Sequence, residues 1–176
     1  MTLLEFFRNE KSNVHGVKFF DILNYDDELF EKKHNFIQWL FPTDTKSKWN
    51  WHSPILTIAD VAELNKDSLA LEHIHFGANR FMHFLWYDIV GTNVVKSDKH
   101  DERTKTWITK NNHNYKRISR FLRFAKMMGG DMYQIGQHFL LSQLVQLWQE
   151  HKEEIGDNTL LHWAQSIGID IDSIKK

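Results

Sequence analysis

The stretch from Tyr25 to Pro42, YDDELFEKKHNFIQWLFP, limits the possible folds of this chain more than any other segment. It opens with Asp26 and Asp27, whose charges are favourable where a helix exposes its first unpaired N–H groups. Five apolar residues then recur at helical spacing and form one stripe: Leu29, Phe30, Ile37, Leu40 and Phe41. Pro42 lacks an amide hydrogen, so a helix ends near it. The segment therefore predicts one amphipathic helix whose aromatic stripe is covered by other helices.

The composition favours a helical protein with a substantial core. Apolar residues make up 41% of the chain, including 13 Phe and 7 Trp, and the two prolines leave long uninterrupted stretches. A second helix begins near Ser68, and its end, from Phe81 to Val90, is apolar on almost every side before Gly91. We therefore predict an all-α fold, a single compact helical domain over residues 1–176 with about six to eight helices around this central apolar helix.

Other segments also carry start and stop signals. A threonine should cap a short helix over residues 57–64, and a glycine pair should close a longer helix over residues 114–128. A helix over residues 157–168 should begin and end next to glycines. Residues 91–105 are rich in charge and predict a loop.

Composition also restricts the classes of function. The chain contains no cysteine, which excludes disulfides, thiolate catalysis and metal sites with cysteine ligands. Its net charge of -1 gives no global field that would recruit nucleic acid or an anionic membrane. No apolar run reaches the roughly 18 residues that a membrane span needs, and the N-terminal apolar run is too short for a signal peptide. We therefore expect a soluble, cytoplasmic protein without a membrane span.

No motif in the sequence identifies a catalytic, metal or cofactor site. The patterns GxSxG, GxxxxGKS, GxGxxG and HExxH are absent. Among the 11 histidines, His75 and His83 share one predicted helix, but about 12 Å along its axis separates them, which is too far to bind one ion. We predict no metal and no cofactor. An enzymatic role, hydrolase-like or of an unrecognised type, stays open as an alternative.

The polar face of the helix over residues 114–128 is the clearest candidate for a binding surface. Five basic residues fall on one half of that helix: Lys116, Arg117, Arg120, Arg123 and Lys126. Arginines three apart can grip a phosphate or carboxylate. His113 and Asn114 stand at the helix start, where unpaired N–H groups also favour an anion. The face predicts an acidic ligand, a phosphate backbone or an acidic partner. A solvated face, or one paired with acidic residues, is the alternative.

Two smaller features leave alternatives open. His34 lies within the apolar stripe of the first helix. It is either a boundary residue that is hydrogen-bonded to the backbone or, together with His113, a ligand contact in a cleft between the predicted helices over residues 25–42 and 114–128. Three tryptophans in predicted loops, Trp49, Trp51 and Trp107, either cover the core or form a recognition surface.

Two blocks of this sequence contain a set of recognisable short motifs: His15-Gly16, Asp21 to Asp27, His34, Ile37 to Pro42, Asn112 to Tyr115 and Arg117-Ile118. In these residues the chain resembles the shared N-terminal region of the opioid growth factor receptor family. The resemblance covers about residues 3–147 and implies a soluble, mostly helical domain. Because the chain ends at Lys176, we expect this region as a stand-alone domain.

In animals, receptors of this family bind an enkephalin-type opioid peptide, associate with the nuclear envelope and restrain cell proliferation. For this chain we predict a non-enzymatic module that binds a peptide, a protein or an anionic ligand in a groove beside the predicted helices over residues 25–42 and 114–128. The predicted site residues are His34, His113, Asn114, Arg117, Arg120 and Arg123. The alternatives are an anion or nucleic-acid binder that uses residues 116–126, with nucleic acid not the favoured partner, and the enzyme of unrecognised type.

Overall fold

The computed structural model of the chain describes residues 1–47 and 50–174. Lys48, Lys175, Lys176 and Trp49, one of the three loop tryptophans, lie outside the described residues. Contacts within the chain group it into two compact units, Met1–Phe84 and Leu85–Lys176. None of the described helices is both long and apolar enough to cross a membrane.

The first unit packs short helices with one long helix. In chain order they are α1 (Leu3–Phe7), α2 (Phe19–Leu23), α3 (Asp27–Lys32), α4 (Ile37–Leu40), α5 (Ile58–Leu64) and α6 (Ser68–Phe84). Thr2 and Thr57 start α1 and α5 with capping boxes, in which the carboxylates of Glu5 and Asp60 accept hydrogen bonds from the N–H groups of the two cap residues. The helix expected over residues 57–64 is therefore confirmed.

The predicted single helix from Tyr25 to Pro42 is wrong, because the chain turns at residues 33–36 and forms α3 and α4 instead. Asp26 does cap α3, with its carboxylate accepting the Leu29 N–H at 2.8 Å. Every residue from Phe36 to Phe41 is buried, and such a run cannot share one stripe of a straight helix. Burial of the whole run favours a short helix that is enclosed on all sides.

Arg80 of α6 holds the start of α3. Its Nη2 donates to the Tyr25 carbonyl and to the Asp27 carboxylate, both at 2.8 Å. Its guanidinium lies 4.2 Å from the centre of the Phe30 ring, which is fully buried. One cation therefore ties the first turn of α3 to the long helix.

The second unit begins with a β-hairpin and continues in helices. Its elements are β1 (Tyr87–Val90), β2 (Asn93–Lys96), α7 (His100–Arg103), a 3₁₀ turn (Thr104–Thr106), α8 (Asn114–Met128), α9 (Gly130–His138), a π-helical turn (Phe139–Leu144), α10 (Val145–Glu150), α11 (Lys152–Ile155), α12 (Asp157–Ile167) and α13 (Ile171–Ile174). The helices expected over residues 114–128 and 157–168 are confirmed as α8 and α12. Residues 91–105 were expected as a loop, but they contain β2 and α7.

The all-α prediction is wrong, because β1 and β2 form a two-stranded antiparallel sheet. The long helix ends at Phe84, so the central apolar helix expected to reach Val90 is wrong as well. Val90 pairs with Asn93 across a two-residue loop in which Gly91 has φ 63°. Valine and isoleucine on both sides of this loop favour strands, since β-branched side chains pack well on a pleated surface. The described helices are also shorter and more numerous than expected.

Two side chains close the outer edge of β2. The N–H of Val94 donates to His138 Nδ1 at 3.0 Å, and Gln143 Nε2 donates to the Val94 carbonyl at 3.0 Å. The π-helical turn begins immediately after His138, and its wider spacing brings positions five apart onto one side of the helix. A strand edge is thereby paired without another strand.

Candidate functional site

A tight turn positions the start of α8, where three of the predicted site residues lie. Asn111 adopts φ 60°, a left-handed conformation that asparagine tolerates. Asn112 Oδ1 accepts the N–H of Asn114 at 2.9 Å. The two asparagines of the turn therefore direct the chain into α8 and fix the first residues of that helix.

Asn114 and Arg117 are brought together, but in the interior of the second unit. Asn114 is fully buried, Arg117 is 4% exposed, and Arg117 Nη1 donates to Asn114 Oδ1 at 3.0 Å. Phe124 comes seven residues after Arg117, so it lies on the same side of the helix, and it is fully buried too. The prediction that Arg117 lies on an accessible polar face is therefore wrong. Its part in ligand binding stays a prediction.

The other basic residues of α8 do not share one accessible face. Arg120 and Arg123 are half-buried, and burial, followed by the charge of Arg123, lowers the pKa of Arg120. Lys126 lies against the C-terminal end of α12, where its Nζ is 2.6 Å from the position that a Cβ added to Gly168 would occupy. Lys116 is exposed at the other end of α8. Anion binding along the whole row stays a prediction, and Lys116 is the cation best placed for it.

His34 and His113 belong to different units, so the cleft predicted to hold both stays a prediction. His34 is exposed in the turn between α3 and α4 rather than on an apolar stripe. Its neighbours Lys33 and Asn35 line a cavity of about 240 Å³ in the first unit. Lys33 Nζ donates to the Tyr25 hydroxyl at 3.3 Å in that cavity. The cavity is thus lined by the neighbours of His34 and not by His34.

A polar groove in the second unit lies between α8 and α12. Its volume is about 460 Å³, which is within the range of small-ligand sites. The asparagine pair before α8 lines one end. The two helices contribute Tyr115, Lys116, Ser119, Thr159, His162 and Ser166. Ser119 follows Tyr115 by four residues and Lys116 by three, and the α12 positions are three and four apart, so each helix presents one face to the groove.

Tyr115 lines this groove, and buried aromatic rings pack behind it. Tyr115 meets Trp163 edge to face, with ring centres 5.8 Å apart, and Trp163 Nε1 donates to the Tyr115 carbonyl at 3.0 Å. Burial, with a smaller effect from Glu154, raises the pKa of Tyr115 to about 12, so its phenol stays neutral at physiological pH. Trp107 packs behind Tyr115 and is 2% exposed, whereas Trp51 in the first unit is 75% exposed. Of these two loop tryptophans, Trp107 covers the core and Trp51 faces solvent.

The walls of the groove combine a cation with hydroxyl acceptors. The lining side chains that the structure describes include Lys116 but no carboxylate. Ser119 and Ser166 donate their hydroxyl protons to carbonyls of their own helices, to Tyr115 at 3.2 Å and to His162 at 2.7 Å. Their oxygens therefore act toward the groove as acceptors.

Sequence reasoning missed the α12 side of the groove, formed by Thr159, His162 and Ser166. The available signal was their helical spacing, since polar residues three and four apart follow one face while Leu160 and Trp163 follow another. Across the described ranges, no group of three or more His, Asp and Glu side chains lies close enough to hold a metal ion.

The fold and the groove define a mostly helical protein with a polar cavity beside the longest helix of its second unit. The conserved region of the opioid growth factor receptor (OGFr) matches residues 1–169 of the chain. This chain therefore belongs to the opioid growth factor receptor family, and the resemblance of its two sequence blocks is confirmed.

Known relatives extend well beyond the matched region. The opioid growth factor receptor of Rattus norvegicus is 30% identical over 156 residues, which are 83% of this chain and 26% of that protein. The opioid growth factor receptor-like protein 1 of Mus musculus is 26% identical over 136 residues, 74% of this chain and 29% of that protein. The opioid growth factor receptor of Homo sapiens is 31% identical over 140 residues, 74% of this chain and 20% of that protein. The chain thus spans about a quarter of the length of these relatives. No solved structure matches it at a significant level.

Proposed function

We propose that this chain is a non-enzymatic binding module whose ligand, a peptide or a segment of a partner protein, occupies the groove between α8 and α12. The observation that carries this proposal is the groove itself, about 460 Å³ in volume and lined by Tyr115 and by polar side chains of both helices. The relatives are named as receptors for an opioid growth factor, which supports a ligand of this kind. We propose the cytoplasm as the compartment in which the module works.

The hydroxyl groups of the groove favour binding over catalysis. An activated serine nucleophile needs a base that takes its proton. Ser119 and Ser166 instead give their protons to carbonyls of their own helices. Tyr115, like an ordinary tyrosine, keeps its proton at physiological pH, and burial raises its pKa further, to about 12. Groups that hold their protons in this way suit recognition, so the hydrolase alternative has less support.

The burial of α8 gives less support to nucleic-acid binding than the sequence did. A protein that follows a phosphate backbone needs several cations along one accessible surface. Arg117 is 4% exposed, and Lys116 and Lys126 lie at opposite ends of the helix. A single cation at the groove suits a smaller anionic group better.

A titration followed by ¹H–¹⁵N NMR tests the proposed module. The probe is an enkephalin-type pentapeptide, and a pool of random tetrapeptides serves as a second probe. We expect saturable shifts at Ser119, Thr159 and Ser166 with at least one probe. Ser166→Trp, which fills the groove, should abolish the binding, whereas Gln165→Trp adds the same bulk at an exposed neighbour outside the groove and should preserve it.

Two outcomes would contradict the proposal. One is that neither probe shifts the groove residues. The other is that Ser166→Trp binds its ligand as tightly as the unchanged protein does, which would place the ligand elsewhere.

A further inference from the structure

We propose that the groove between α8 and α12 holds its ligand by a peptide carboxylate, which binds the ammonium group of Lys116. This inference rests on the proposed function, because it names the chemical group that the same groove recognises. A chain terminus and an acidic side chain both present this group.

The charge of Lys116 is the first argument. Some surface cations of the chain have acidic partners; Arg8 Nε, for example, lies 3.1 Å from Asp67, and Lys11 Nζ lies 2.7 Å from Glu5. Within residues 1–47 and 50–174, no carboxylate makes an ion pair with Lys116, although its side chain lines a groove. A cation in a concave site that makes no ion pair with a carboxylate of the protein attracts an anionic group on the ligand.

The hydrogen-bonding pattern is the second argument, and it favours a carboxylate over a phosphate. Ser119 and Ser166 use their protons within their own helices, so toward the groove they accept. Peptide N–H groups next to a carboxylate are donors that satisfy such acceptors. A phosphate presents acceptor oxygens on every side, and these would face the lone pairs of the serine oxygens.

The size of the groove and the type of its cation are the third argument. A volume of about 460 Å³ is larger than a bare ion needs and is suitable for a short peptide segment. Lysine binds as a single point charge, whereas arginine offers the fork of donors that suits phosphate recognition. Arg117 of the same helix is buried and bonded to Asn114, so its guanidinium does not serve the groove.

The experiment compares small probes that differ in one group, again by ¹H–¹⁵N NMR. The probes are acetyl-Gly-Gly with a free terminal carboxylate, acetyl-Asp-Gly-amide with a side-chain carboxylate, acetyl-Gly-Gly-amide without charge, and inorganic phosphate. Ligands of this size bind in the millimolar range even when the contacts are good. We expect at least one of the two carboxylate probes to shift the signals of Lys116, Ser119 and His162 saturably, and to bind about tenfold more tightly than the uncharged amide. Which of the two binds more tightly identifies the source of the group.

Substitutions at two exposed lysines of α8 complete the test. Lys116→Gln should weaken the carboxylate probe about tenfold and leave the uncharged amide unchanged, because only the charged contact is removed. Lys116→Arg keeps the charge and should restore most of the affinity. Lys126→Gln removes an equal charge outside the groove and should change nothing. Both lysines are exposed, so these variants should fold, and the dispersion of the NMR spectrum verifies this.

The possible outcomes separate this inference from the proposed function. Equal affinity for acid and amide, tighter binding of phosphate than of both carboxylates, or unchanged affinity in Lys116→Gln would each overturn the carboxylate inference. If Ser166→Trp still blocks peptide binding in those cases, the groove remains the ligand site. Absence of saturable shifts with every probe and every peptide would overturn both proposals.

Discussion

Substitution of Gly136 by alanine would test how closely α9 packs against the two helices of the groove. An added Cβ would lie 2.7 Å from Ile167 Cδ1 of α12 and 3.0 Å from Ala125 Cβ of α8. Ile167 can turn the end of its side chain away, but Ala125 has no torsion that would relieve the contact, so a helix must shift. Overpacking of this kind costs about 1–3 kcal/mol, and a Gly→Ala change in a helix gains about 1 kcal/mol. We expect Gly136→Ala to lower the free energy of unfolding by about 1 kcal/mol.

Urea denaturation followed by far-UV circular dichroism measures this change. The midpoint should fall while the dependence of the unfolding free energy on urea stays the same, because the substitution exposes no new surface. Ile167→Val provides the matched test, since it removes the Cδ1 atom that the new methyl group meets. By itself this change costs about 0.5–1.5 kcal/mol, and it should cost less when combined with Gly136→Ala. A variant as stable as the unchanged protein, or more stable, would refute the packing argument.

Three further predictions concern polar side chains, two of them buried and one half-buried. Asn114→Ala removes the acceptor of the buried Arg117 guanidinium and should cost about 1–3 kcal/mol in urea denaturation; a loss within about 0.5 kcal/mol, as at an ordinary surface position, would contradict it. His138→Leu removes the acceptor of the Val94 N–H and should speed hydrogen exchange of that amide, measured by NMR; unchanged exchange would show that the edge is protected in another way. Burial lowers the pKa of His100, so the stability that this side chain contributes is complete above about pH 6.5 and is lost as the pH falls through the lowered pKa. The urea midpoint of the unchanged protein should therefore fall with pH over this range, and it should fall less in His100→Gln. An equal fall in both proteins would assign the pH dependence to other groups.

Local signals in the sequence predicted several elements correctly. The Thr57 capping box fixes the start of α5, and the glycine after Met128 fixes the end of α8, because these interactions involve only neighbouring residues. The hairpin had a local signal as well, in the β-branched residues on both sides of Gly91. That signal was outweighed by the apolar run before it, which suits a buried helix equally well.

The remaining differences depend on contacts between distant parts of the chain. A prediction from periodicity assumes that a helix has one buried face, but every residue of the run Phe36–Phe41 is buried. The chain forms α3 and α4 there instead of the one predicted helix. The same assumption placed Arg117 in solvent, although Phe124 on its side of the helix is buried. Ser119 and Thr159, the lining residues of α8 and α12 that are nearest in sequence, are 40 positions apart, so no local pattern could assemble the groove. The sequence had placed Lys116 in the basic row of α8, but the six predicted site residues are not among the residues that line the groove, which depends on packing.

The π-helical turn Phe139–Leu144 has a consequence for the length of the chain. Over its span the wider turn uses about one residue more than an α-helix with the same overall rotation. Loss of one residue from this turn would therefore leave Leu147 and Trp148, both buried, facing the core. It would, however, take Gln143 out of line with His138, and the edge of β2 would lose one of its two partners. The extra residue of the helix thus aligns His138 and Gln143 with Val94 of β2. A relative with a one-residue gap here would keep its helical core, but the edge of its hairpin would need a different partner.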